Sequence, residues 1–341
     1  MKVVYTGLDV GSRLFQIATM EESGELLFCK KIAMSEENLI AAFSALEGEV
    51  HVHLEAGEMA PWIRDVISRL VHRVVISHPM NNAWIAKDPN KCDRIDAIKL
   101  ADLLRMNRFR EVYYSDDRSR REFKLLVQHY NDLTKQQAGI KRKIKARFRA
   151  QGIIVHSLEL FTVKGKEKAL GLLSSDWLRK AVEQLYEVLE QSQTAQQQAR
   201  QLMCKQGQAF PEIKLLQSVP GVGPIGAARY SAYIQDPTRF SSRRKLWRYS
   251  RLGVSFRSSD GEPLSHPRLD RNGCGVLKNV ARVAFIAALR AKVENSFQRA
   301  YKEALKSTHN AVHARLSVMR KIVSVMRAVW ITNTPYRDDL G

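Results

Sequence analysis

The first third of the chain changes between two hydrophobic periods, one of two residues and one of 3.6. Apolar runs predict five strands, at residues 3–9, 13–20, 25–33, 50–56 and 74–79. Amphipathic spacing predicts three helices, at residues 35–46, 60–73 and 94–106. Three strands and a helix, followed by strand, helix, strand and helix, is the order of an RNase H/RuvC-like α/β domain with a mixed sheet.

The middle of the chain carries two long helical patterns. Residues 118–149 contain a heptad-like seam in which positions alternate four and three residues apart. The seam consists of Leu126, Tyr130, Leu133, Ile140 and Ile144, with one polar interruption at Gln137. A second helix, from Ser175 to about Lys205, has seam positions at Leu178, Val182, Leu185 and Leu189. The pattern predicts an antiparallel coiled-coil hairpin that allows self-association, and a pair of ordinary surface helices is the alternative.

The last third predicts a mainly helical domain. Residues 215–234 predict a short helix, a Gly-rich turn and a second helix. The turn resembles a helix–hairpin–helix turn, in which Gly221 and Gly223 would let backbone N–H groups approach a DNA phosphate. A simple packing turn is the alternative. A basic segment at 239–253, a polar loop at 256–273 and helices at 274–306 and about 309–331 follow.

These changes of pattern predict three domains, at residues 1–115, 116–206 and 207–341. With 45% hydrophobic residues, the 341-residue chain is expected to form genuine cores. It has no apolar run near 18 residues, no secretory signal pattern at its start, and four widely spaced cysteines. We therefore expect a cytoplasmic protein without a membrane span, a disulfide framework or a zinc site.

Charge is distributed unevenly along the chain. Residues 1–115 hold 14 Lys and Arg against 16 Asp and Glu and have a net charge of −2. The remaining residues have a net charge of +22, which gives the chain its net +20. Such asymmetry is typical of a protein that binds nucleic acid. The candidate phosphate contacts lie in two basic clusters and are Lys141, Arg142, Lys143, Lys145, Arg147, Arg243, Arg244 and Lys245.

Four carboxylates are candidates for a metal site. Asp9 and Glu55 end predicted strands, and Asp93 and Asp96 lie one helical turn apart at the start of a helix. Carboxylates at the ends of apolar strands are costly unless a cation compensates them, and hard oxygen ligands select Mg²⁺ or Mn²⁺. The alternatives are that Asp93 is a helix N-cap and that Asp96 interacts with the helix dipole.

Five motifs in this order resemble a known family. They are LDVGS, LEAGEMAPW, NKCDRIDAIKLA, PGVGPIGAA and the run RFSS…LWRYSRLG…SSDG. Together they resemble the insertion-sequence transposases of the "one-ten" class, also called DEDD transposases, which are similar to the Piv DNA invertase. The resemblance covers the chain from Lys2 to about residue 330.

The resemblance implies a RuvC-like domain whose Mg²⁺-binding tetrad matches Asp9, Glu55, Asp93 and Asp96. It implies a dimerisation coiled coil and a C-terminal domain whose nucleophilic serine matches Ser259, with Ser258 as the neighbouring alternative. That serine would form a covalent phosphoserine link to DNA. The resemblance further implies that the two domains forming one active site come from different protomers. It also implies that a structured noncoding RNA pairs with donor and target DNA.

The expected function is therefore that of a mobile element's DNA recombinase, a homodimer or tetramer that acts with DNA and a guide RNA. It would be cytoplasmic and nucleoid-associated when active. One alternative is a RuvC-like junction nuclease or a DNA invertase without guide RNA. The other is a nucleic-acid-binding remnant that has lost its chemistry.

Overall fold

The computed structural model describes residues 2–79, 92–156, 159–255, 258–259, 262–263, 266 and 268–338. Only the backbone is described for 258–259 and 262–263. The chain forms two compact units, Met1–Tyr114 and Ser115–Gly341. The three-domain division of the sequence stays a prediction.

A five-stranded mixed sheet forms the centre of the first unit. Its strands are β1 Val3–Val10, β2 Leu14–Glu21, β3 Leu26–Ala33, β4 Glu49–Glu55 and β5 Arg73–Ser77. The spatial order is β3-β2-β1-β4-β5. β1, β2 and β3 pair antiparallel, whereas β4 and β5 run parallel to β1. The five predicted strands and the mixed sheet are confirmed.

The two faces of this sheet pack against different helices. Successive side chains of a strand point to opposite faces. Val4 and Leu8 of β1 belong to the main core of the unit, together with side chains of α1 Glu36–Ser44 and α2 Ala60–Ile67. Gly7, between them, faces the backbone of α3 Asp93–Arg105. Asp9 lies on the same face as Gly7, so the sheet directs it towards α3.

The second unit is mostly helical. Its helices are α4 Arg118–Arg149, α5 Val163–Gly171, α6 Asp176–Gln206, α7 Pro211–Leu216, α8 Pro224–Ile234, α9 Arg243–Tyr249, α10 Gly275–Leu289, α11 Ser296–Thr308 and α12 Ala311–Thr332. A large core joins one end of α4 and α6 to the helices from α7 onwards. The predicted helical character of this region is confirmed.

The two long helices α4 and α6 run antiparallel. Gln137 Nε2 donates to the carbonyl oxygen of Ser192 (3.0 Å), and Gln196 Nε2 donates to Thr134 Oγ1 (2.9 Å). Beyond these contacts a separate apolar cluster lies between the helices and includes Ile144. The hairpin therefore has its own small core, and its role as a dimerisation coiled coil stays a prediction.

Three sequence predictions differ from the structure. The helix predicted at 60–73 ends at Ile67. The helix predicted at 274–306 is two helices, because Asn295 forms a capping box with Gln298 and starts α11.

The polar loop predicted at 256–273 takes part in two short strand pairs. Its β9 Arg268–Leu269 pairs with β6 Val254–Ser255, which precedes the loop, and β7 Ser258–Ser259 pairs with β8 Glu262–Pro263. Two-residue strands carry too little periodicity to be predicted from sequence.

Candidate active site

Asp9 and Glu55 lie at the carboxyl ends of two neighbouring parallel strands, Asp9 next to last in β1 and Glu55 last in β4. The register pairs Leu8 of β1 with Leu54 of β4, so the next residue on each strand is a carboxylate. Neighbouring strands lie about 4.8 Å apart. The carboxyl ends of β1 and β4 therefore place Asp9 and Glu55 side by side, as their positions at strand ends predict.

Gly7 brings the other two carboxylates to this edge. A Cβ on Gly7 would fall on the carbonyl oxygen of Ala97 and 2.6 Å from the amide nitrogen of Ala101. Only a glycine lets the backbone of α3 lie this close to β1. α3 begins at Asp93, one turn before Asp96, so the close packing holds both at the end of the strand.

The N-cap of α3 is Cys92, and its side chain makes no capping hydrogen bond. The alternative that Asp93 is the N-cap is therefore wrong. Asp96 lies in the first turn, and its backbone N–H bonds to the carbonyl oxygen of Cys92 (3.0 Å). Both carboxylates project from the N-terminal turn of α3, where the helix dipole favours negative charge.

The four carboxylates act on each other electrostatically. Burial, as the largest cause, and repulsion from Asp96, Asp93 and Glu55 together raise the pKa of Asp9 from 3.8 to about 6. Like charges in one site disfavour ionisation unless a cation compensates them. Glu55, Asp93 and Asp96, which the sequence predicts as metal ligands together with Asp9, thus lie close enough to Asp9 to repel it electrostatically.

Asp96 supplies the test of whether a metal fits. Its side chain is only 8% exposed, and Oδ1 has no hydrogen-bond partner within the described residues. No three His, Cys, Asp or Glu side chains already form a coordinating group in the described part of the chain. An unpaired buried oxygen among mutually repelling carboxylates is nevertheless the donor chemistry that suits Mg²⁺ or Mn²⁺. The residues fit a hard divalent cation.

A cavity of about 460 Å³ opens beside Asp9 and Glu55. The turn after β1, the segment between β4 and α2, and Met34 form its walls; the residues other than Asp9 and Glu55 are Val10, Gly11, Ser12, Met34, Ala56, Gly57, Glu58, Met59 and Ala60. The other two carboxylates do not line it. The cavity leaves the sheet edge accessible at these two carboxylates.

His53 links α3 to the sheet through a hydrogen bond, a role that the sequence pattern did not predict. Its ring is fully buried: Nδ1 donates to the carbonyl oxygen of Leu100 (2.7 Å), and Nε2 accepts from the hydroxyl of Ser77 (2.8 Å). Burial lowers the pKa of His53 to about 4, so the ring is neutral. The sequence feature that indicates this role is the position of His53 two residues before Glu55, which places both side chains on the same face of β4.

The glycines of the predicted phosphate-binding turn differ in their surroundings. Gly221 has φ +83°, and a Cβ there would fall on the backbone of α10 at Ala284 and 2.8 Å from the amide nitrogen of Ala288. Gly223 is the N-cap residue of α8, and a Cβ there would meet nothing within 4 Å. Close packing accounts for Gly221, whereas Gly223 leaves the helix N-terminus accessible.

The predicted basic contacts form two groups in the second unit. Arg243, Arg244 and Lys245 are exposed in the first turn of α9. On α4, three further residues are exposed: Arg142, Lys143 and Arg147. Lys141 and Lys145 are half-buried, with their ammonium groups 5.1 and 5.7 Å from the ring centre of Phe161.

Ser258 and Ser259 lie in β7, and Ser259 pairs with Glu262. Their side chains lie outside the described residues, as do Asp260 and Gly261. The assignment of a nucleophile to either serine stays a prediction.

Comparison with known protein families gives two matches. Residues 6–150 match the DEDD transposase model of the IS110 class, and residues 213–302 match the transposase family IS116/IS110/IS902. A comparison with curated proteins found no match. In the described part of the chain, no helix is long and apolar enough to cross a membrane.

The first match contains the four clustered carboxylates, and the second contains the Gly-rich turn and both serines. The protein is therefore a transposase. Specifically, the chain belongs to the IS110 class of DEDD transposases.

Proposed function

We propose that this transposase cuts and rejoins the DNA of a mobile element through a serine nucleophile and a Mg²⁺ site in a RuvC-like domain. The observation that carries the proposal is the placement of Asp9 and Glu55 at the ends of neighbouring strands, with α3, which begins at Asp93, packed closely against Gly7. The unpaired Oδ1 of buried Asp96 supports it further. A charge cluster of this kind suits a divalent ion and then a phosphodiester.

Asp9, Glu55, Asp93 and Asp96 would hold the metal. When bound, Mg²⁺ would stabilise the negative charge on the leaving oxygen of a phosphodiester. Close packing at Gly7 and the hydrogen bond from His53 to Leu100 keep α3 against the sheet, so these side chains would be positioned before DNA binds.

Ser259 is the proposed nucleophile, and Ser258 is the alternative. Its hydroxyl oxygen would attack phosphorus and give up its proton, forming a phosphoserine bond as the bond from phosphorus to the sugar oxygen breaks. The released sugar oxygen takes a proton and becomes a hydroxyl. Attack by the hydroxyl of another strand reverses these steps and releases the serine.

The basic second part of the chain would bind DNA and a structured guide RNA. Its charge of +22 over residues 116–341 suits several phosphate backbones. The exposed Arg243, Arg244 and Lys245 and the accessible turn at Gly223 are proposed backbone contacts. Sequence recognition would be delegated to base pairing with the RNA. The hairpin of α4 and α6 is the proposed contact of a homodimer or tetramer.

A strand-exchange assay on the flanking DNA of the element tests the proposal. We expect Ser259→Ala to abolish exchange, and Ser258→Ala, the matched control, to retain it. Asp9→Asn and chelation by EDTA should each abolish strand cutting. Hydrolysis that survives Ser259→Ala and Ser258→Ala alike would instead favour a RuvC-like nuclease that uses water.

The guide RNA has its own test. Nucleic acid that copurifies with the protein, expressed with its native flanking DNA, can be sequenced. One abundant RNA encoded beside the gene is the expected result. A mixture of host sequences would contradict RNA guidance and favour an invertase-like reaction.

A further inference from the structure

A lysine lies in the same cross-strand row as Asp9. Asp9 of β1 pairs with Gln16 of β2, and Gln16 pairs with Lys31 of β3. Residues paired directly across a sheet share one face, so Lys31 lies on the face that carries Asp9 and α3. With strands about 4.8 Å apart, the backbone of Lys31 is about 10 Å from that of Asp9.

The neighbouring Lys30 lies on the other face. It pairs with Ile17, a member of the main core, and its ammonium is 5.0 Å from the ring centre of Phe28. Two adjacent lysines therefore have different surroundings, and only Lys31 faces the carboxylates. This pair offers a matched control within one strand.

Lys31 contacts the carboxylate cluster at its exposed edge. Its Nζ is 4.0 Å from Oδ2 of Asp93, and the side chains are 58% and 67% exposed. An exposed ion pair at this distance contributes little to stability. Lys31 can therefore leave Asp93 for a stronger ion pair without a large loss of folding stability.

Gln16, between the two strands, is fixed and neutral. It is 4% exposed, and its Nε2 donates to Sγ of Cys29 (3.1 Å) and to the carbonyl oxygen of Lys30 (3.0 Å). Gln16 therefore offsets none of the negative charge of Asp9. Along this row, the cation available to a bound anion is Lys31.

We propose that Lys31 is a substrate-positioning residue of the carboxylate site. Its ammonium pairs with Asp93 in the free protein and contacts a non-bridging phosphate oxygen of the bound DNA strand once Asp93 binds the metal. Four ionised carboxylates and one divalent ion leave a net negative site that repels a phosphodiester, and a nearby ammonium reduces this repulsion. The inference rests on the proposed metal-dependent function.

Two measurements on the full-length protein test it. The first is the affinity for Mn²⁺ alone, by spin-resonance titration. Lys31→Ala should bind Mn²⁺ about two- to fivefold more tightly, because a cation that competes for Asp93 is removed. The second is cleavage of the element's flanking DNA. Lys31→Ala should lower kcat about tenfold with little change in KM, because the basic second unit is proposed to supply most of the DNA affinity.

The controls separate positioning from folding. Lys30→Ala should match the wild type in both measurements, and Lys31→Arg should recover most of the cleavage rate. A Lys31→Ala protein that binds Mn²⁺ more weakly, or that cleaves at the wild-type rate, would overturn the inference. Failure of the proposed function looks different: the wild type would then bind no Mn²⁺, or Asp9→Asn would cleave normally.

Discussion

Replacing Asp9 by Asn should stabilise the metal-free protein, although Asp9 is the central ligand of the proposed metal site. The raised pKa means that ionised Asp9 is unfavourable in the folded state. A carboxyl group whose pKa rises on folding leaves stability unaffected below pH 3.8 and lowers it as the pH rises towards 6. Asparagine has nearly the same shape and carries no charge, so the variant avoids this loss.

The size of the effect follows from the pKa. A rise from 3.8 to about 6 corresponds to about 3 kcal/mol if none of it is screened. Asp9 is only half-buried, so solvent screening should reduce this to about 1–1.5 kcal/mol. We therefore expect Asp9→Asn to raise the melting temperature of the first unit by about 3–6 °C above pH 7, and to change it little near pH 4.

Scanning calorimetry across this pH range, with and without Mg²⁺, is the assay. The matched control is Glu47→Gln, which removes an exposed carboxylate from the same unit and should leave the melting temperature unchanged. Added Mg²⁺ should stabilise the wild type and the control but not Asp9→Asn, which lacks a ligand.

A lower melting temperature for Asp9→Asn in metal-free buffer above pH 7 would refute this reasoning. It would mean that ionised Asp9 makes favourable contacts rather than unfavourable ones. An equal response of both proteins to Mg²⁺ would remove Asp9 from the metal site.

Three further predictions concern His53, Gly7 and the hairpin of α4 and α6. His53→Leu should cost about 2 kcal/mol in urea unfolding, because two buried hydrogen bonds are lost. A neutral buried histidine causes a loss of stability as the pH falls from 6.5 to about 4, and His53→Leu should remove this loss. The same loss of stability in wild type and variant over this pH range would contradict the prediction. Gly7→Ala should displace α3 and abolish Mn²⁺ binding, whereas Gly57→Ala, whose Cβ meets nothing within 4 Å, should not; equal binding by the two would be the opposing result. Replacing residues 139–190 by a short Gly-rich turn should leave a folded monomer by light scattering, and an unchanged oligomer mass would argue against dimerisation through the hairpin.

The sequence predicted the parts of the fold that depend on local periodicity. Apolar runs predicted all five strands, and the order of elements predicted a mixed sheet. Asp9 and Glu55 could be placed near each other because parallel strands end at the same edge. The pairing of Asp93 and Asp96 followed from the pitch of one helix.

Other features depend on packing between elements that are distant in the chain. Gly7 signals a close approach, but its partner α3 lies about 90 residues later. The roles of His53 and Lys31 depend on strand register, which a single sequence does not specify. Gly221 was predicted as a phosphate contact, but the structure requires a glycine there because the turn packs against the backbone of α10. This packing also joins elements that are distant in the chain.

The most direct test of the central claim is the chemistry at the cut DNA end. The protein can be incubated with the element's flanking DNA and Mg²⁺, digested with trypsin, and its peptides examined by mass spectrometry. The account predicts a peptide with a nucleotide attached through phosphate to Ser259, absent when EDTA is present. Cut DNA with free phosphate and hydroxyl ends, and no protein adduct at Ser259 or Ser258, would contradict serine recombination.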